Sequence, residues 1–168
     1  VCGGTISSDF PASARAFNNS FLGGDSDWFV AHVSANGTSL LDATYLGTTE
    51  YDQTFFVQTD SNDDVFVIGQ TNGNYPILNA LYSDANSGQF IQKLSPDLST
   101  SLMSTTIGKS IGAVDFSISA FLVSDCDFIY LSGWGGPLNG TSAYGAFATQ
   151  SSTNLLPITS DAYQSTHD

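Results

Sequence analysis

Positive charge is what this chain most conspicuously lacks. Its 168 residues hold three basic side chains (Arg15, Lys93 and Lys109) against sixteen acidic ones, a net charge of −13. Nucleic-acid binding relies on Lys and Arg to displace counterions from phosphates, so this composition excludes it as a principal role. Adhesion to anionic lipid is disfavoured for the same reason. Glutamate is scarce as well: Glu50 stands alone beside fifteen Asp. Asp bonds locally to backbone in turns, so the bias points to a turn-rich chain. No run approaches the roughly eighteen consecutive apolar residues of a membrane-spanning helix, and direct membrane insertion is not expected. Helical periodicity never persists, and Ala12–Asn18, after Pro11, has room for a single turn at most. The two cysteines, Cys2 and Cys126, fit no metal spacing, and the sequence leaves open whether they pair or stay reduced. No G-x-S-x-G elbow, Walker loop or H-E-x-x-H occurs. There is no initiator Met or signal peptide, and Val1 reads as the inside of a strand, so the chain is expected to be a segment of a longer protein.

What is present is self-similarity. Val1-Cys2-Gly3-Gly4-Thr5 returns as Val67-Ile68-Gly69-Gln70-Thr71 and, degraded, as Leu131-Ser132-Gly133-Trp134-Gly135, with steps of 66 and 64 residues between the glycines. Trp28–Ser34 matches Gln89–Ser95, and Thr44-Tyr45-Leu46-Gly47 matches Thr105-Thr106-Ile107-Gly108. Pro11, Pro76 and Pro157 each have an aromatic six positions on, at Phe17, Tyr82 and Tyr163. Fixed-period repetition marks solenoids, propellers and arrays. The apolar runs are short, rich in β-branched and aromatic residues, and broken by turn signals, which is the all-β pattern.

Four strands are expected per repeat: near 28–33, 40–46, 54–59 and 65–69, then 89–94, 101–107, 117–123 and 128–132. Asn36-Gly37 is a strong hairpin signal. Pro96-Asp97 stands in its place in the second copy, so a different turn geometry is expected there. The aromatic after each proline is expected to plug the gap between sheets. Four-stranded antiparallel units of this length point to β-propeller blades. The chain then divides into 1–24 (the end of a blade and a connection), 25–83 (a blade), and 84–168 (a diverged blade with a loop insertion at 135–155). A single blade cannot bury both faces, so further blades must come from the same or a neighbouring chain.

These blocks resemble the SBBP family, β-propeller repeats of large bacterial surface and secreted proteins, notably of the Bacteroidota. The resemblance rests on Asp27-Trp28-Phe29-Val30, Thr44-Tyr45-Leu46-Gly47, Asp52, the Asp60–Asp64 turn, Val65–Thr71, Tyr75-Pro76 and Leu81-Tyr82. Asp9-Phe10-Pro11, Ala16-Phe17, Leu156-Pro157 and Ala162-Tyr163 extend it to nearly the whole chain. The second copy departs at Thr106-Ile107-Gly108 and at Trp134. The resemblance implies a secreted or cell-surface, outer-membrane-associated scaffold, linked with type IX secretion, adhesion or gliding. It carries no fixed catalytic residues.

Candidate sites are few. Asp60-x-Asn62-x-Asp64 has the oxygen alternation that opens a calcium loop, although Val65 replaces the expected glycine and no Glu follows at position twelve; the alternative is a tight hairpin turn. Calcium is the one cofactor the sequence raises. Asp25 and Asp27 form an acidic pair, for which backbone bonding competes with glycosidase chemistry. His32 lies on a strand as a polar face residue. Gly133–Gly136 reads as punctuation. Trp134, Tyr144 and Phe147, in or beside the insertion, are candidates for stacking on sugars or anchoring a protein partner. Asn18, Asn36 and Asn139 match N-glycosylation sites, relevant only in a suitable host. The expected function is a non-catalytic structural and interaction scaffold; the alternatives are a carbohydrate-binding or adhesion module and the propeller part of a secreted hydrolase.

Overall fold

A computed structural model describes residues 1–110, 112, 114–135 and 156–166. Among them are nine strands and no helix. The first sheet orders β1 (Cys2–Thr5), β2 (Asp27–Val33) and β3 (Leu40–Leu46). The middle sheet orders β4 (Asp52–Thr59), β5 (Val65–Thr71), β6 (Gln89–Leu94) and β7 (Ser101–Ile107). The third pairs β8 (Ser117–Val123) with β9 (Ile129–Trp134). All ladders are antiparallel.

The sheets stack face to face. One core joins Trp28, Val30 and Leu46 of the first sheet to Val65, Val67, Phe90 and Leu94 of the middle one. The other joins Phe66, Ile68 and Ile91 to Ile118, Phe121 and Val123. Side chains alternate across a strand, so β5 sends Val65 and Val67 to one core and Phe66 and Ile68 to the other. All seven of its residues are buried. Fully burying a Phe or Leu contributes about 1.5–3 kcal/mol, so these two cores are the main stabilising feature. The described sheets stack without closing on themselves.

The sheets are out of phase with the repeat. The four strands expected as one blade, those near 28–33, 40–46, 54–59 and 65–69, are split between two sheets. The middle sheet takes two strands from one copy and two from the next. The sequence segment from Gly47 to Asp52 crosses between sheets, while Thr71 to Gln89 returns to the same sheet. Hydrogen-bond pairing, rather than motif order, sets the boundary.

Two further expectations change. The β2–β3 and β6–β7 turns have the same geometry. Ser34 N–H bonds Ser39 C=O and Ser95 N–H bonds Thr100 C=O, each at 2.9 Å. Each turn has one residue at positive φ, Gly37 at 72° and Leu98 at 56°, followed back into a bulged register. This is a type I turn with an αL residue and a bulge. Asp97 therefore matches Asn36, and Leu98 matches Gly37. Leu98 accepts the strained conformation because its side chain is wholly buried in the first core.

The aromatics after the prolines do not plug the sheets. Phe17, Tyr82 and Tyr163 are exposed. The residue before each proline packs inward instead: Phe10 lies 4.6 Å from Phe29 on the side of the first sheet away from the middle sheet, Tyr75 stacks 4.3 Å from Phe90 in the first core, and Leu156 packs on the second core. Trp28 stacks on Phe90 at 4.9 Å, completing a three-ring column between the sheets.

Candidate functional site

The Asp60–Asp64 turn binds a cation from within the chain. Asp60 Oδ1 accepts the N–H groups of Asn62 at 2.8 Å and Asp64 at 3.0 Å, which bends the loop between β4 and β5. The Lys93 ammonium, from β6, lies 2.8 Å from Asp60 Oδ2 and 2.9 Å from Asp64 Oδ2. The same ammonium sits 4.9 Å above the Phe66 ring. Burial raises the Asp60 carboxyl, but Lys93 and the two N–H donors outweigh it and hold it below the usual carboxylate value. The carboxylates thus hold Lys93 where the calcium reading placed a metal, and Asn62 contributes only its backbone N–H to these bonds. Among the described residues no group of three His, Cys, Asp or Glu is arranged to hold a metal ion.

Two deeply buried acids, Asp52 and Asp115, belong to a repeated loop fastener. After β3, Asp52 Oδ2 accepts Thr48 N–H at 2.5 Å and the Thr48 hydroxyl at 2.9 Å. After β7, Asp115 Oδ2 accepts Lys109 N–H at 2.7 Å, while Lys109 Nζ reaches Asp115 Oδ1 at 3.2 Å. Gly47 and Gly108, at φ 141° and 149°, let each carboxylate approach; a Cβ on Gly47 would come within 2.7 Å of Asp52 Oδ2. Each fastener ties the exit of one sheet to the entry of the next. Burial pushes the Asp52 carboxyl above its usual value, opposed by the Thr71 and Thr48 hydrogen bonds. Sequence reasoning noted Asp52 only within a motif and missed Asp115. The usable signal was an Asp five and seven residues after the repeated glycine.

Asp25 and Asp27 part company. Asp25 is exposed, whereas Asp27 is fully buried at the start of β2. Asp27 Oδ2 accepts the Leu22 N–H, and its Oδ1 has no hydrogen-bond partner. Burial, aided by the nearby Asp52 charge, raises its carboxyl above the usual value. Neither Asp27 nor Asp52 reaches solvent. His32 pairs across the strands with Asp42, Nδ1 to Oδ2 at 3.6 Å, on an exposed face.

Trp134 ends β9 with just over half its surface exposed. Tyr144, Phe147 and most of the expected insertion lie outside the described residues, as does Asn139. Cys2 and Cys126 are free thiols: Cys2 packs against the first core, and Cys126 is exposed in the β8–β9 turn. A cavity of about 400 Å³ opens between the first and middle sheets, walled by Val30, Val57, Val65 and Leu98 with His32 at hand. Another of about 360 Å³ between the middle and third sheets is walled by Tyr82, Ile107, Phe116 and Leu156. Both are lined mostly by apolar side chains, with Thr59 and Asp63 also on the first and Ser132 on the second. Among the described residues no helix is long and apolar enough to cross a membrane. No family model and no curated protein matches the chain.

Proposed function

We propose that this chain is a non-catalytic scaffold: a run of β-propeller-type blades, belonging to a secreted or surface-exposed bacterial protein, that presents a surface to other blades and to a protein or glycan partner. One observation carries the reading. The same sheet-on-sheet contact is made twice, first on middle and middle on third, by repeat-equivalent residues. A unit that buries its faces only against copies of itself is the logic of a repeat scaffold. The acids fit the same reading, since Asp52, Asp60 and Asp115 are engaged with backbone N–H groups or lysines. The acidic composition favours an exposed, soluble surface over nucleic acid or anionic lipid.

The test is an experimental structure of the native polypeptide together with a hydrolase assay on chromogenic glycosides, esters and peptides. The scaffold reading expects further sheets beyond the first and third, and no turnover. Turnover that disappears in Asp27→Asn or Asp52→Asn would overturn it, and so would ends covered by unrelated elements.

A further inference from the structure

We propose that Asp27 and Asp52, where the chain crosses from the first sheet to the middle one, hold a calcium-type divalent cation at their buried carboxylates. The inference goes beyond the scaffold reading and does not depend on it.

The repeat supplies the comparison. Strand register equates Phe29 with Phe90, and therefore Asp27 with Gly88. Gly47 and Gly108 follow the equivalent strands β3 and β7, so Thr48 matches Lys109. The second crossing has one carboxylate, Asp115, and one ammonium, Lys109, 3.2 Å apart and both at least nine-tenths buried. Its charge is balanced from within the chain. The first crossing has two carboxylates, and a threonine stands where the lysine would be. Asp27 and Asp52 are both wholly buried.

The backbone brings the two acids together. Ser26 C=O accepts Asp52 N–H at 3.0 Å, and the Ser26 hydroxyl donates to Asp52 C=O at 2.9 Å. Asp27 follows directly, close enough for the Asp52 charge to act on its carboxyl. Asp27 Oδ1 has no hydrogen-bond partner. Among the described residues no Lys, Arg or His forms an ion pair with either acid. Lys93 is committed to Asp60 and Asp64, and Lys109 to Asp115. Arg15 lines a separate niche with Asp42 and Asp97. Buried charges are paired or coordinate metals, so the balancing charge at this crossing comes from solution.

The donor set selects the ion. Two carboxylates supply two negative charges, and the hydroxyls of Thr48 and Thr71 lie beside Asp52. All are hard oxygen donors, which suit calcium; its flexible coordination tolerates a site not built as the near-ideal octahedron that magnesium demands. The loops 22–26 and 47–51 meet where Gly24 faces the Thr49 and Glu50 carbonyls. Exposed Asp25 and Glu50 on these loops give the approach a negative field that draws cations in.

The test is calcium titration of the chelator-stripped 168-residue chain, by calorimetry and by thermal unfolding at fixed ionic strength. The proposal expects one ion per chain and a melting temperature raised by about 3 °C or more at about 1 mM calcium. Asp27→Asn keeps the acceptor for Leu22 and is expected to melt no lower than the parent in chelator, yet to lose the calcium shift. Asp52→Asn is expected to lose it too, whereas Asp60→Asn keeps it, which separates this site from the Asp60–Asp64 turn. If either single variant at the crossing fails to fold, the double variant Asp27→Gly/Thr48→Lys copies the second crossing and is expected to fold without responding to calcium. A folded parent that ignores calcium overturns the proposal, and would mean that a proton balances the pair instead. A shift that persists in folded Asp27→Asn, or that sodium reproduces at matched ionic strength, overturns it as well.

Discussion

At the residue scale, the informative groups are acids with opposite behaviour. Burial raises the Asp27 carboxyl above its usual value, so folding shifts it toward the protonated form relative to the unfolded chain. Its stabilising contribution is complete below the ordinary carboxylate value and is lost as pH rises through the folded value. Asp27→Asn keeps an acceptor for Leu22 and removes the buried charge. It is expected to raise the melting temperature at neutral pH, with the gain vanishing toward pH ~3. Thermal unfolding across pH checks this, and a lower melting temperature at neutral pH would contradict it. Asp60 has the reverse sign. Lowered by Lys93 and two N–H donors, it contributes above the ordinary carboxylate value and loses that contribution as pH falls through the folded value. Asp60→Asn is expected to cost about 2 kcal/mol at neutral pH by chemical denaturation, and less in acid. The Asp60-x-Asn62-x-Asp64 pattern was legible as a turn in the sequence. Lys93 was not, since it lies on the neighbouring strand and nothing local ties it to the loop.

At the element scale, the repeated glycine has a steric cause. Opposite Gly69 the register slips between Thr54 and Phe56, and a Cβ on Gly69 would land on the Gln53 carbonyl oxygen and within 2.7 Å of the Phe90 ring. Gly133 repeats the arrangement, with Ser117 C=O and the Phe116 ring. Gly69→Ala is expected to cost about 3 kcal/mol, since bulge and ring must both shift. Leu98 shows the opposite balance. Its positive φ costs about 1–2 kcal/mol, whereas its buried side chain contributes about 1.5–3 kcal/mol before any cavity is counted. Leu98→Gly is therefore expected to destabilise by at least about 1 kcal/mol despite relieving the backbone. A more stable Leu98→Gly chain in urea would show that strain dominates. The strands themselves were legible to within a residue or two, because alternation and turn chemistry are local. The β6–β7 turn was misread by one position. A leucine gives no local sign that it will adopt the conformation of a glycine, and only its buried side chain explains why it does.

At the scale of the whole molecule, the repeat length and the all-β class could be read from the chain, but the phase could not. Motif order suggested that sheets end after β5, whereas pairing ends them after β3 and β7. The only marker of a crossing between sheets is the Asp five residues after Gly47 and seven after Gly108, and its meaning emerges only once the carboxylate is seen buried as a loop fastener. The packing consequence is a gradient of stability. β5 is paired on both edges and covered on both faces. Phe90, at the centre of the aromatic column, is accordingly expected to cost about 3–5 kcal/mol on replacement by Ala. The most direct measurement of the account is amide hydrogen exchange of the chain. Stacked sheets stabilising one another face to face predict that 65–71 exchanges only through global unfolding, while 2–5 and 129–134 exchange orders of magnitude faster. Equal protection at the middle and at both ends would contradict it.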